Sequence, residues 1–228
     1  MDEAFILEER PMMTTMIKHQ HLRPFVLLPS GSIIDLAAPL ATSWTDADLA
    51  IGLARTYRWG GHSAWKQPLS VAQHSLTVLA IRERDTRLEP PLALYELLHD
   101  AEEGLIAFDC IAPLKAFLGE PFRELCRRLT RAVEDRYKLP TLSTHEWQQH
   151  KAADRIAAAS EALHVVRWSA EQIRDTLAIE ETPLMRDPLM YGADRDDYVA
   201  WEPWTSEYAA EAWLARLQLE LARAGLPS

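Results

Sequence analysis

The sequence predicts an all-α fold with a short β-hairpin near its N-terminus. Glycine occurs only 8 times in 228 residues, and long stretches are rich in Ala, Leu, Glu and Arg, which favour helices. Hydrophobic residues make up 48% and charged residues 25%, close to the soluble globular average, and the length suffices to bury a core without disulfides. We find no internal repeat. We therefore expect an N-terminal extension at 1–24, followed by a single helical domain at 25–228.

The hairpin is predicted from two short apolar runs. Phe25–Leu28 and Ile33–Leu36 flank the turn-forming segment Pro29-Ser30-Gly31-Ser32. Two such runs separated by a Gly-containing turn are typical of an antiparallel hairpin.

The helices that follow are predicted from apolar spacing and from residues that start or stop helices. Thr45 or Asp46 can cap the first helix, Gly60-Gly61 ends it, and Pro90-Pro91 suits the first turn of the third. The segments 105–114 and 180–203 are expected to be irregular. The predicted helices lie at about 45–58, 68–84, 90–104, 120–137, 144–168 and 205–224.

Charge and cysteine content exclude several classes of protein. A net charge of −10 provides no field that attracts a nucleic-acid polymer, although a small anionic substrate remains compatible with it. Cys110 and Cys126 form no CxxC pattern, which indicates a reducing compartment without disulfides. The N-terminus MDEAFILEER lacks the basic residues and long apolar run of a signal peptide, and no apolar stretch reaches membrane-spanning length. We expect a cytoplasmic protein that does not bind membranes; whether it forms a homo-oligomer is left open.

The third predicted helix carries the first candidate site. One side is an apolar stripe made of Leu94, Leu97, Leu98 and Ala101. The opposite side carries Glu96, His99, Asp100 and Glu103. A solvated polar face is the simpler interpretation, and an adjacent His-Asp pair alone does not displace it.

Two further residues change that balance. His74 lies among aliphatic residues and Asp154 among alanines, positions that are also typical of a hydrogen-bonded core histidine and a paired core carboxylate. Taken with His99 and Asp100, they place two imidazoles and two carboxylates on three helices. Mixed nitrogen and oxygen ligands of this kind suit a divalent ion such as Mn²⁺, Co²⁺, Fe²⁺ or Zn²⁺.

The same residues carry a resemblance to a known family. The order His74, His99-Asp100, Asp154 resembles that of the HD-domain phosphohydrolases. More specifically, the chain is similar to the bacterial and phage HD nucleotide phosphohydrolases, which include 5′-deoxynucleotidases and dNTP triphosphohydrolases. The similarity covers roughly 25–170 and is most specific where SVAQHS is followed by LLHDAEE. The matching motifs are RWGGH at 58–62, SVAQHS at 70–75, LLHDAEE at 97–103 and PLK at 113–115.

The resemblance implies an HD-domain helical bundle around one divalent metal ion, with Mn, Co, Zn, Fe and Mg as candidates. It gives Glu103 an acid/base or water-positioning role, places Arg58 on the phosphate and puts Trp59 near the nucleoside. The implied metal ligands are His74, His99, Asp100 and Asp154.

Other assignments from the resemblance are weaker. The family usually has an acidic residue nine positions after the HD histidine, but here Phe108 stands there and Asp109 follows. Because PLK is displaced by one as well, we interpret this as a one-residue insertion and keep Asp109 as a candidate for orienting water. His62, Lys66 and Lys115 are candidates for phosphate contact, with ordinary solvated side chains as the alternative.

The expected function is hydrolysis of a small-molecule nucleotide by attack of metal-activated water on phosphorus. The few basic residues in the motifs favour a monophosphate over a triphosphate. A bulky Trp59 ring close to the sugar would exclude a 2′-hydroxyl, so the expected substrate is a 2′-deoxynucleoside 5′-monophosphate. The alternatives are a dNTP triphosphohydrolase that releases triphosphate and a catalytically inactive nucleotide-binding HD protein. A di-iron oxygenase would need further histidines, for which the chain offers only His62 and His150.

Overall fold

The structure is a computed structural model that describes residues 23–192 and 198–227. It is mostly helical, with one two-stranded antiparallel sheet among the described residues. The predicted all-α fold with a short N-terminal hairpin is confirmed. The predicted extension at 1–24 lies almost entirely outside the described residues. The elements are β1 Phe25–Leu27, β2 Ile33–Asp35, α1 Asp46–Arg55, α2 Val71–Arg82, α3 Pro90–Leu98, α4 Ala101–Ile106, α5 Ala112–Tyr137, α6 Thr144–Glu161, α7 Ala170–Leu177 and α8 Ser206–Ala224.

The hairpin is joined to α1 through a helix cap. Thr45 and Asp48 form a reciprocal capping box at the start of α1. The Asp48 carboxylate also accepts a hydrogen bond of 2.8 Å from the backbone N–H of Ser30, in the hairpin turn. Ile34 is fully buried, whereas Leu27 and Ile33 are exposed. The hairpin therefore covers the helical core with one face only.

Two glycines allow α1 and α4 to touch. A Cβ atom added at Gly52 would lie 2.3 Å from the carbonyl oxygen of Gly104, and one added at Gly104 would lie 2.7 Å from the Leu53 side chain. No side chain fits at that separation. This contact fixes α4, and with it Glu103, against the rest of the helical core.

The third predicted helix is not continuous, which corrects the prediction of one helix at 90–104. α3 ends at Leu98 and α4 begins at Ala101, because Asp100 leaves the helical region with φ −112° and ψ 23°. Its backbone carbonyl accepts the N–H of Glu103 at 3.1 Å, so a new helix starts there. His99 and Glu103 therefore do not lie on one continuous helix.

The polar side of this segment is also not solvated. Glu96 and Glu103 are 2% and 3% exposed, and the side chain of His99 is 4% exposed. Burial of so many ionisable groups is costly unless they are paired. The interpretation as an ordinary solvated face is therefore wrong.

The remaining elements differ from the prediction at their ends. α2 begins at Val71, with Ser70 as its N-cap, and packs against α6 and α3. α5 starts at Ala112, inside the expected loop 105–114, and is interrupted at Gly119 (φ 74°, ψ −159°) before the predicted part. α6 ends at Glu161 and continues as a wider π-helical turn to Val166. α7 was not predicted.

The large hydrophobic core is built mainly from α1, α2, α3, α4, α5 and α8. Its largest fully buried side chains include Trp44 and Trp213, and α8 packs most extensively against α1 and α3. No helix within the described ranges is both long and apolar enough to cross a membrane.

Candidate metal centre

His74 lies in the middle of α2 with a fully buried side chain. Its Nδ1 atom lies 2.6 Å from Oε1 of Glu161. Its Nε2 atom lies 3.4 Å from Oδ1 of Asp154 and 3.7 Å from Oδ2 of Asp100. Nε2 is buried and has no hydrogen-bond partner among the described residues.

His99 lies at the end of α3 and shows the same pattern. Its Nδ1 atom lies 2.8 Å from the backbone carbonyl oxygen of Glu96, which can only accept a hydrogen bond. Nδ1 must therefore carry a proton, which leaves the lone pair of the neutral ring on Nε2. This Nε2 is also buried without a hydrogen-bond partner in the described chain, and it lies 3.2 Å from Oδ2 of Asp100.

These ligand atoms converge. Ligand atoms of His74, His99 and Asp154 lie within 4.8 Å of one another. Asp100 joins them through the two distances from its Oδ2 to the histidine nitrogens, 3.7 and 3.2 Å. The break between α3 and α4 places Asp100 there. All four predicted ligands are thus brought together from three parts of the chain.

The residues present fit a divalent metal ion. Within the described chain, the two buried Nε2 atoms have no hydrogen-bond partner, and both face ionised carboxylates, so the cluster offers two nitrogen donors and two oxygen donors to one cation. The other nitrogen of each ring is held by a carboxylate or a carbonyl, which is how proteins orient metal-binding histidines. Nitrogen and oxygen donors together suit Mn²⁺, Co²⁺, Fe²⁺ or Zn²⁺.

The electrostatics of the histidines are dominated by carboxylates. Burial lowers the pKa of His74, and so does Arg58, but Glu161 and the neighbouring carboxylates outweigh both and raise it to about 9. Burial also lowers the pKa of His99, but the Asp100 carboxylate outweighs this effect, so the pKa of His99 is raised to about 9 as well. A positive charge is therefore favoured at this position.

The pKa values of the two aspartates are shifted in the opposite direction. Burial would raise the pKa of Asp100, but His99 and His74 hold it far below its usual range. Asp154 behaves similarly, because His74, His99 and Lys151 outweigh the effect of burial. Both carboxylates are ionised and can act as ligands at neutral pH.

Glu161, at the end of α6, was not singled out from the sequence. It is 1% exposed, and one of its oxygens is the partner of His74. The other accepts hydrogen bonds from Nε of Arg58 at 2.9 Å and from Nε1 of Trp59 at 3.3 Å. This single carboxylate therefore ties the predicted phosphate-binding arginine to a predicted metal ligand.

Arg58 and Trp59 lie in a short 3₁₀ turn at Arg58–Gly61 before α2. The terminal guanidinium nitrogen Nη1 of Arg58 lies 3.8 Å from Oδ2 of Asp100. Trp59 has the left-handed backbone conformation (φ 58°), which is unusual for a bulky residue, and its ring packs against Ala159, Ala162 and Ile173. The turn is thus fixed by packing and by Glu161, with Arg58 beside the centre.

Glu103 lies next to this centre on α4. Its Oε1 accepts a hydrogen bond of 3.0 Å from Nζ of Lys115, whereas Oε2 is buried without a hydrogen-bond partner in the described chain. Burial, Asp100 and Asp109 raise the pKa of Glu103 to about 9. Asp109 lies close enough to contribute to this shift, and Phe108 is 41% exposed.

The remaining predicted residues fall into two groups. Lys115 is held by Glu103, whereas His62 and Lys66 are exposed and their side chains make no hydrogen bond or ion pair with the described residues.

Two further residues of α6 lie beside the centre. Nζ of Lys151, one turn before Asp154, lies 2.6 Å from Oδ2 of Asp154 and adds a positive charge there. His150 is buried; its Nδ1 lies 2.7 Å from Oε2 of Glu96.

Sequence signals for the roles of Glu161 and Glu96 were present but weak. Glu161 follows Asp154 by seven residues and therefore lies on the same face of α6. Glu96 precedes His99 by three residues and therefore lies about one helical turn before it. An isolated glutamate at such spacing is common on helices, so only the packing of α2 and α6 shows what these residues contact.

Comparison with known proteins adds a relative but no function. No family model matches the chain. An uncharacterized protein of Rhodobacter capsulatus is 37% identical over 145 residues, which cover 61% of this chain and 72% of the relative. The chain therefore belongs to the same protein family as this R. capsulatus protein.

Proposed function

We propose that this protein is a metal-dependent phosphohydrolase of the HD type that acts on nucleotides, with 2′-deoxynucleoside 5′-monophosphates as its substrates. One observation carries the proposal: Nε2 of His74 and Nε2 of His99 are buried, lack hydrogen-bond partners in the described chain and face Asp154 and Asp100. The motif resemblance supports the same conclusion from the sequence side.

His74, His99, Asp100 and Asp154 are the residues that would hold the ion. When bound, such an ion polarises a phosphoryl oxygen and makes water available as a nucleophile near neutral pH. Glu161 and the carbonyl of Glu96 fix the two imidazole rings through Nδ1, so that Nε2 of each ring, which faces Asp154 or Asp100, is the atom that would bind an ion.

Arg58 is the group that binds the phosphate. Its Nε is occupied by Glu161 and its Nη1 is paired with Asp100, which leaves Nη2 of the guanidinium for the ligand. Although burial alone lowers its pKa, Glu161 and the surrounding aspartates raise it, so the guanidinium stays charged. A fixed positive charge beside the reacting phosphate stabilises the charge that develops on its oxygens.

Glu103 is the residue that moves a proton. Lys115 orients it through Oε1, and Oε2 is the atom left free to exchange a proton with water or with the leaving oxygen. Lys115 and Lys151 are each 39% exposed at the side chain and supply positive charge beside the centre. Together with Arg58, they suit the modest charge of a monophosphate.

The deoxy preference follows from Trp59. Its indole is anchored to Glu161 beside Arg58, and we propose that the sugar of a nucleotide whose phosphate is bound by Arg58 lies against this ring. A ring that fills the space of a 2′-hydroxyl favours deoxynucleotides, roughly ten- to two-hundredfold for steric rejection of this kind.

The experiment is a substrate panel. Protein reconstituted with Mn²⁺ or Co²⁺ is assayed for phosphate release from dAMP, AMP, dATP and ATP. The proposal expects dAMP to be cleaved best. Equal turnover of dAMP and AMP contradicts the deoxy preference, and release of intact triphosphate from dATP identifies a dNTP triphosphohydrolase instead. No turnover of any phosphate ester refutes the hydrolase.

A further inference from the structure

The side chain of Glu96, in the last turn of α3, ties three helices together. Its Oε1 accepts a hydrogen bond of 2.6 Å from Nε of Arg82, the last residue of α2. Its Oε2 lies 2.7 Å from Nδ1 of His150 on α6. A carboxylate oxygen accepts, so Nδ1 of His150 is the donor. Both oxygens of this buried carboxylate are therefore used, one by each neighbouring helix.

The backbone carbonyl of the same residue holds His99. The last carbonyls of an α-helix have no N–H partner within the helix. The carbonyl of Glu96 belongs to this group, and it accepts the Nδ1–H of His99 at 2.8 Å. Because the chain leaves the helical conformation at Asp100, no following turn holds this carbonyl in place. The side chain of Glu96 is therefore what links it to the neighbouring helices.

The partners of Glu96 are buried beside the candidate metal centre. The side chains of Arg82 and His150 are 10% and 3% exposed. The ring of His150 lies 5.0 Å from that of His99, at an angle of 67°. Replacing buried pairs of this kind by apolar residues is often neutral for stability, so stability alone does not account for them. Directional hydrogen bonds add one fixed arrangement of the groups that they join.

We propose that Arg82, Glu96 and His150 form a positioning network for His99, which holds its ring so that Nε2 faces Asp100. The three residues act through His99 and do not bind the ion themselves. The inference rests on the metal site of the proposed function and extends to His99 the support that Glu161 gives to His74. Removing groups that orient a metal-binding histidine typically lowers metal affinity ten- to hundredfold.

The test changes the donor on α6. His150→Phe keeps a ring but offers no donor to Oε2 of Glu96, whereas His150→Asn places an amide N–H near the position of Nδ1. In metal-free protein with isotope-labelled histidine, NMR follows the hydrogen exchange of the Nδ1–H of His99. Exchange should be roughly tenfold faster or more in His150→Phe and close to wild type in His150→Asn. His145→Phe, the same change at an exposed position of α6, should leave exchange unchanged.

Co²⁺ binding gives a second measurement on the same variants. Affinity measured by calorimetry should fall roughly ten- to hundredfold in His150→Phe and recover in His150→Asn. At saturating Co²⁺, KM for dAMP should stay at the wild-type value, because Arg58 lies outside the network. Wild-type exchange and wild-type Co²⁺ affinity in His150→Phe overturn the inference. An Asn variant that behaves like the Phe variant overturns it as well.

Arg82 allows the same comparison from α2, which matters if His150→Phe does not fold. Arg82→Met removes the donor to Oε1 of Glu96, and Arg82→Lys supplies one. Fast exchange in the Met variant with slow exchange in the Lys variant supports the network, and equal exchange in both contradicts it.

The exchange measurement also separates this inference from the proposed function, because it needs neither metal nor substrate. Faster exchange of the His99 Nδ1–H in the variants without a donor supports the network even if no ester is hydrolysed. A wild type that hydrolyses dAMP, with unchanged exchange in those variants, leaves the hydrolase standing and overturns the network.

Discussion

Oε1 of Glu161 lies 2.6 Å from Nδ1 of His74, and Oε2 of the same carboxylate lies 2.9 Å from Nε of Arg58. The contact with His74 is buried and the contact with Arg58 is partly buried. The carboxylate is ionised because Arg58 and His74 outweigh the effect of burial and lower its pKa. The residue that orients a predicted metal ligand is thus also the one that orients the predicted phosphate group. We expect the two functions to be lost together when this carboxylate is changed.

Glu161→Gln tests this coupling. A glutamine has only one acceptor oxygen, so it cannot serve His74, Arg58 and Trp59 at once. Metal affinity should fall roughly ten- to hundredfold, as it does when groups that orient ligands are removed, and KM for the phosphate ester should rise as well. Calorimetric metal titration and steady-state kinetics measure the two effects.

The matched control for Glu161→Gln is Glu171→Gln, which makes the same change at an exposed position on α7. It should leave metal affinity and KM as they are. Wild-type metal affinity in Glu161→Gln, in a protein that melts at the wild-type temperature, would show that the carboxylate does not orient His74.

Glu103→Gln separates metal binding from catalysis. Glu103 lies outside the ligand group, with Lys115 on one oxygen and the other free. The variant should keep its metal and lose kcat by roughly a hundredfold or more, as expected for a proton-transfer group. Metal content by atomic absorption is measured beside kcat. A variant without metal would mean that Glu103 is itself a ligand.

Metal affinity should depend steeply on pH. His74 and His99 have pKa values raised to about 9 in the metal-free protein, so an ion binding at neutral pH must displace protons. Affinity should rise with pH, by up to about tenfold per pH unit for each proton released, and level off above about pH 9.

The stability of the metal-free protein should change with pH in the opposite direction to its metal affinity. A histidine whose pKa is raised from 6.5 by folding stabilises the metal-free fold fully below pH 6.5, and this contribution disappears as pH rises through about 9.

The protons displaced by metal binding can be counted directly. Calorimetric metal titrations at pH 7, in buffers with different ionisation enthalpies, give the number of protons that are released when the ion binds. A count of zero contradicts the proposed ligand nitrogens.

Local signals in the sequence predicted local structure well. The Thr45 cap of α1, the Pro90-Pro91 start of α3 and the turn of the hairpin all depend on residues within a few positions, and each is found where the sequence predicts it. α7 was missed, although Ser169 and Gln172 form a capping box of the same kind. The signal was present, but the segment is short.

Features set by packing between helices could not be predicted in the same way. The break at Asp100 interrupts a segment whose apolar spacing is that of a continuous helix. The role of Glu161 depends on how α6 lies beside α2, which no local pattern encodes. The four candidate ligands were predicted from the sequence because their types and order resemble a family, and the structure brings these residues together.

The central claim is that these four residues hold an ion needed for phosphate release. The most direct measurement strips wild type and His99→Ala with a chelator, adds one equivalent of Mn²⁺ and follows phosphate release from dAMP together with bound metal. Wild type should recover both, and His99→Ala should recover neither, because it lacks one of two imidazole ligands. Full metal occupancy and full activity in His99→Ala would contradict the account.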